Sequence, residues 1–314
     1  MVTDIYGGGN AAGIRHGTFL NIDNATIKGN VFGGGNEGIV EDSTEVFVTD
    51  ASIDGNVYAG GNGATAVVYK NSSIIIDGKT IIGTEDSEAP NTGCVFGSGN
   101  AAATGLEEND DSNASVKIVG GYIYGNVYGG AKMSFVYGTT EIDIGTNAVN
   151  LKKITEDGIT IKGTVFGGGE SNANGDEHFD WDFIAVTQGI NVNINGNGYI
   201  DRGHDFVING SIFGSGNASS SAGDSIVSIK DLGTKAKPNR AISIQRATKL
   251  VIDNSVIELE GAFDRTNDYG DAYYSFNIID LLIIKNNTTL LLKNNANLLK
   301  EIYSGVDKDG KLVP

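Results

Sequence analysis

Leu20-Asn-Ile-Asp-Asn-Ala-Thr-Ile-Lys-Gly-Asn-Val-Phe-Gly-Gly-Gly-Asn36 returns 26 residues later as Val46-Phe-Val-Thr-Asp-Ala-Ser-Ile-Asp-Gly-Asn-Val-Tyr-Ala-Gly-Gly-Asn62. Leu20, Ile22, Ala25, Ile27 and Val31 fall on Val46, Val48, Ala51, Ile53 and Val57. Self-similarity at a fixed period of this length marks a repeat architecture. Within each copy the first apolar pair alternates with polar residues, the pattern of a half-buried strand. The same pair recurs at Ile74/Ile76, Val116/Ile118, Ile142/Ile144 and Val192/Ile194.

The aromatic of the second half recurs at Tyr6, Phe32, Tyr58, Phe96, Tyr128, Phe166 and Phe213, each time after Ile or Val. Asn10, Asn36, Asn62, Asn100 and Asn217 close five of these motifs, while Lys132 and Glu170 close the other two. Most copies also carry an upstream Ile-x-Gly, as in Ile27-Lys28-Gly29 and Ile161-Lys162-Gly163. The spacing between aromatics grows from 26 to 32, 38 and 47 residues, which reads as insertions on a constant frame. A 26-residue unit holds two or three short strands and their turns. Stacked at roughly 4.8 Å, such units bond backbone to backbone along one axis. The pattern therefore predicts an all-β, single-stranded parallel β-helix or β-solenoid, right-handed as parallel crossovers are. It predicts roughly nine or ten coils, on the order of 45 Å of stack. The aromatics are expected to form a ladder at one corner. The glycines are expected to turn with φ > 0, and the Asn after them to tolerate the left-handed region and bond turn amides.

Residues 1–221 carry the Gly-Asn motif. Across 222–311 the motif fades but the alternation continues, at Val227/Ile229, Leu250/Ile252, Ile257/Leu259, Leu282/Ile284 and Leu290/Leu292. This second stretch reads as variant coils of the same continuous domain, with Leu298-Leu299 opening a C-terminal cap; a separate small domain is the alternative. A cap is needed because an open coil exposes a strand edge.

Composition supports one repetitive body. Gly is 46 of 314 residues and Pro only 3, so collagen is excluded. The abundance of Val, Ile, Tyr and Phe excludes a disordered chain. A net charge of −17 argues against nucleic acid and against anionic lipid, and serves solubility. Cys94 is the single cysteine and stands where other copies have Asn30 and Asn56, which reads as a tolerated turn-side residue. There is no secretion signal, no apolar run of membrane length and no anchoring motif. The chain opens in mid-repeat at Ile5-Tyr6-Gly7, which suggests a monomeric fragment of a longer protein.

Chemistry-bearing residues are scattered. Glu107-Glu108-Asn109-Asp110-Asp111 reads as a solvated acidic loop, with calcium as the sharper alternative. The repeat departs from the calcium-binding Gly-Gly-x-Gly-x-Asp pattern in period and in its Asn. His16, His178 and His204 lack metal spacing. No metal, cofactor or catalytic residue is assigned. Two segments suit ligand binding. Phe179, Asp180, Trp181 and Asp182 lie in an insertion at 169–189 that holds the only Trp. Flat rings among charges suit recognition, though these rings could equally alternate inward and pack. Tyr269, Tyr273 and Tyr274 lie among small residues, a paratope-like composition that could also tuck over the core.

Taken together, Ile27-Lys-Gly-Asn-Val-Phe-Gly-Gly-Gly-Asn36 resembles the repeats of large adhesin-like surface proteins of Gram-positive gut bacteria. The stretches Ala247–Gly261 and Ile278–Leu291 are similar to the segments C-terminal to those repeats. The resemblance implies an extracellular, wall-attached or secreted protein, its signal and anchor outside this segment, that meets a host protein or glycan. Some such proteins bind mucin-type glycoproteins or immunoglobulins. It carries over no catalytic residue. The expectation is thus a non-enzymatic module for a host glycoprotein. A passive spacer and a polysaccharide lyase or glycosidase on a β-helix, which would need paired carboxylates on one face, are the alternatives.

Overall fold

The computed structural model describes residues 2–87, 92–108, 111–145, 158–170, 184–196, 204–217, 219–235, 238–260, 265–266, 272–273, 279–293, 305–306 and 312–313. Among these there is no helix, and the strands pair in parallel except for two short antiparallel pairs near the C-terminus. Alternating β-branched residues favour strands, and repeating them in register lets each strand add to the last.

Three main stacked sheets result, with a three-stranded parallel sheet of Asn239–Ile242, Val256–Glu260 and Thr289–Lys293 beside them; the chain visits the main sheets in turn, and one passage is a rung. An eight-stranded aromatic sheet takes Ile5–Tyr6, Val31–Phe32, Val57–Tyr58, Val95–Phe96, Val127–Tyr128, Val165–Phe166, Ile212–Phe213 and Ile244–Gln245. A nine-stranded long sheet runs from Thr18–Asp23 through Thr44–Thr49, Ser72–Asp77, Ala114–Ile118, Thr140–Gly145, Ile190–Asn195, Ser225–Lys230 and Ala247–Asp253 to Ile279–Lys285. A six-stranded short sheet takes Thr26–Ile27, Ser52–Ile53, Ile81–Ile82, Gly121–Ile123, Ile159–Ile161 and Phe206–Ile208. Between the aromatic and long sheets, Ile14, Val40, Val68, Thr104, Val136 and Val186 form a column of single bridges.

The register repeats the alignment read from sequence. Leu20 pairs with Val46, Val46 with Ile74, Ile74 with Val116, Val116 with Ile142, and Ile142 with Val192. Val227, Leu250 and Leu282 extend the line, so the long sheet continues past the last Gly-Asn motif. Inward residues of all three sheets close one apolar column; Val46, Ile53, Ile76, Ile123 and Ile161 are fully buried. Each such side chain contributes about 1.5–3 kcal/mol relative to exposure.

The aromatic ladder is present as expected. Tyr6, Phe32, Tyr58, Phe96, Tyr128 and Phe166 stack with centroids 4.6–5.0 Å apart and planes within 9°. Phe213 continues it at 5.0 Å and 24°. In-register parallel strands place identical positions one strand spacing apart, which for a flat ring is stacking distance.

Two expectations about the turn need correction. The motif glycines are not left-handed. Positive φ falls one residue after the Asn, at Ala11, Glu37, Gly63 and Ala101, and after Lys132 at Met133. The glycines answer to proximity instead: a Cβ on Gly34 would lie 2.7 Å from the Gly61 nitrogen of the next rung. The same motif places admit nothing larger than Ala59, Ser98, Ala131 and Ser215. The Asn side chains, for their part, bond one another rather than the turn. The Asn36, Asn62 and Asn100 amides donate to the oxygens of Asn10, Asn36 and Asn62 at 2.7, 2.9 and 2.8 Å.

Cys94 is more than a tolerated residue at a turn. A second ladder runs before each aromatic strand, in which a side chain of one rung accepts the backbone N–H of the next. Asp4 accepts from Asn30, Asn30 from Asn56, Asn56 from Cys94, the Cys94 sulfur from Asn126 at 3.2 Å, and Asn126 from Thr164. The thiol is fully buried, and that burial pushes it up to about 12. Only the thiolate is nucleophilic. Iodoacetamide at neutral pH is therefore expected to leave the folded chain unmodified and to label it fully in urea. Labelling of the folded chain, read by intact mass, would contradict this placement.

Candidate functional site

The outward positions of the rungs form columns, and their exceptions locate a candidate site. On the short sheet the first two rungs present Thr26 and Lys28, then Ser52 and Asp54. Lys28 and Asp54 form an ion pair at 2.8 Å. Two rungs further, the equivalent places hold Tyr122 and Tyr124 on either side of buried Ile123. Their rings lie 4.7 Å apart at 55°, and the Lys162 ammonium stands 5.9 Å from the Tyr122 centroid. Both tyrosines are half-buried.

Beside Tyr122 an open groove of about 440 Å³ runs along the stack, lined by Lys79, Ile81, Thr160, His204 and Asp205 among others. Ile81 is 41% exposed, unusual for an isoleucine in the middle of a sheet. A second aromatic pair, Phe135 and Tyr137, flanks buried Val136 in the bridge column, with rings 5.7 Å apart at 20°. Burial, and then the Glu107 carboxylate, raise the Tyr137 phenol above its ordinary value. On the long sheet, Glu141 and Asp143 share the outer face, with Lys117 opposite Asp143 in register. The Asn193 amide donates to Asp143 at 3.0 Å.

The candidates singled out from sequence are placed differently. Phe179, Asp180, Trp181, Asp182, Tyr269 and Tyr274 lie outside the described residues, as do His178 and Leu298-Leu299. Tyr273 is described only as a strand residue, paired antiparallel with Arg265. Tyr122, Tyr124, Phe135 and Tyr137 were missed by that reading. Their signal was present: Gly121-Tyr-Ile-Tyr124 falls on Ala25-Thr-Ile-Lys28 and Ala51-Ser-Ile-Asp54, with aromatics where the copies have polar residues.

In the Asn ladder, Lys132 and Glu170 occupy consecutive places between Asn100 and Asn217. Their Nζ and Oε2 lie 4.0 Å apart, with side chains 18% and 10% exposed. Burial raises the Glu170 carboxyl, and Lys132 opposes the shift. A carboxyl raised in the folded state binds its proton more tightly there than in the unfolded chain. Its contribution is full below the unfolded value and is lost as pH rises through the folded one. Relative to Glu170→Gln, the natural chain is thus expected to lose stability as pH rises from about 4, just below the ordinary Glu value, to about 7. Urea midpoints that differ by the same amount at both pH values would contradict this.

Among the described residues, no three His, Cys, Asp or Glu side chains converge to hold a metal ion. Nor is any helix there long and apolar enough to cross a membrane. Comparison with family models, with curated proteins and with solved structures finds no match to this chain.

Proposed function

We propose that the stacked rungs form one right-handed β-solenoid, and that it is a non-catalytic segment of a bacterial surface protein binding a host glycoprotein. The observation that carries this reading is a pair of outward aromatics on each of two faces of the stack. Tyr122 and Tyr124 face out from the short sheet, and Phe135 and Tyr137 from the bridge column. Half-buried rings supply large rigid contact area at low entropic cost, which is why they concentrate at recognition surfaces. The charge of −17 favours a protein or glycan over nucleic acid as the partner. Immunoglobulins and mucins are the classes that the repeat resemblance implies, together with an extracellular, wall-attached or secreted location.

A pull-down tests this reading. The immobilised chain is exposed to serum and to mucosal secretion. Recovery of one glycoprotein, reduced by a Tyr122→Ala/Tyr124→Ala or a Phe135→Ala/Tyr137→Ala double variant, supports it. An empty eluate from both fluids overturns it. The unbroken register of the long sheet across nine strands favours a spacer as the second reading.

A further inference from the structure

We propose that the groove on the short sheet is a carbohydrate site, taking a short chain of linked pyranose rings along the stack with one ring over Tyr122. This rests on the reading of the chain as a glycoprotein-binding segment, and names the part of the partner that is recognised.

Four consecutive rungs build the groove. Ile81, Tyr122 and Thr160 stand in register as one outward column. Lys79 precedes that column at one end, and His204 and Asp205 precede the strand at Phe206 at the other. Four rungs span about 14 Å at the usual strand spacing. A rung is nearly as long as one pyranose, so sugar units and rungs can keep step.

The chemistry on this strip fits a pyranose, which has a C–H face and a rim of hydroxyls. Tyr122 and Ile81 offer apolar surface for the face. Thr160, His204, Asp205 and Lys79 offer donors and acceptors for the rim. Tyr124 and Lys162 both lie against the Tyr122 ring, so little freedom is lost on binding. The floor is backbone, because the lining there is Gly78, Gly121 and Gly158. At the register position of Gly78, the preceding rungs carry Asp50 and Asn24, all three in the left-handed region. A Cβ on Gly78 would run into the Asp50 carboxylate, so the glycine leaves room for that side chain.

An array of N-linked and mucin-type O-linked glycans, probed with the intact chain, tests the proposal. The expected result is binding to a defined set of glycans. Titration of the strongest of them should show Tyr122→Ala weakening affinity about tenfold or more. Asp205→Asn should also weaken it, while Phe19→Ala, on the outer face of the long sheet, should leave it unchanged. Enzymatic deglycosylation of the captured glycoprotein should abolish capture. Capture that survives both deglycosylation and Tyr122→Ala overturns the groove but leaves the binding reading standing. A blank array together with an empty pull-down overturns both.

Discussion

Truncating Phe96 to alanine is expected to destabilise the chain by about 3–5 kcal/mol, measured as a fall in the urea midpoint. Phe96 is fully buried and stacked on both faces, 4.8 Å from Tyr58 and 4.6 Å from Tyr128. Its removal strips both neighbours of a contact and leaves a void. The rungs cannot close that void, because backbone hydrogen bonds fix their spacing on each side. Ala59 N–H donates to Phe96 at 3.0 Å, and Gly97 N–H donates to Tyr128 at 2.9 Å. Phe19→Ala is the control. Phe19 is 67% exposed and leans on Phe47, so its loss should change stability by about 0.5 kcal/mol or less. Equal losses from the two variants would contradict the ladder as a source of stability.

Placing leucine at Gly60 is expected to be as damaging, about 3 kcal/mol or more, at the upper end of overpacking. A Cβ there would lie 2.7 Å from the Gly99 nitrogen and 3.0 Å from its Cα. These are backbone atoms of the next rung and cannot swing aside as a side chain could. Serine is the informative companion, because Ser98 and Ser215 already occupy this motif place. Gly60→Ser brings the same Cβ but little beyond it, so it should fold at an intermediate cost, while Gly60→Leu should melt far lower. A leucine variant as stable as the serine one would mean that the rungs are not in close contact at this corner.

The stack was legible in the sequence because in-register strands force one residue type onto one line. Leu20, Val46, Ile74, Val116, Ile142 and Val192 could be aligned by eye, and they pair as aligned. The reason for the glycines was not legible. A repeated Gly says that only a small residue fits, but not whether φ or a neighbouring rung demands it. The Asn column was visible too, yet its bonds run between rungs, and spacing within one copy does not show them. The candidate surface was overlooked for a related reason. Rarity drew attention to Trp181, in an insertion with no repeat to align it against. Tyr122 and Phe135 are informative only as departures from their columns, and so become visible once the columns are drawn.

Rungs stacked in fixed register underlie every column described above, and cysteine pairs test that register most directly. Ser73 and Ser115 are in-register partners on the outer face of the long sheet. Their Cα atoms should lie about 4.8 Å apart, within the range a disulfide spans. Lys117 shares that face two residues further along, about 7–8 Å from Ser73. Mild oxidation of the folded Ser73→Cys/Ser115→Cys chain should join the two cysteines, as mapped on proteolytic peptides, with Cys94 left free. The Ser73→Cys/Lys117→Cys chain should stay reduced under the same conditions. Cross-linking of the offset pair, or of neither, would contradict the register and with it every column from which the candidate site was drawn.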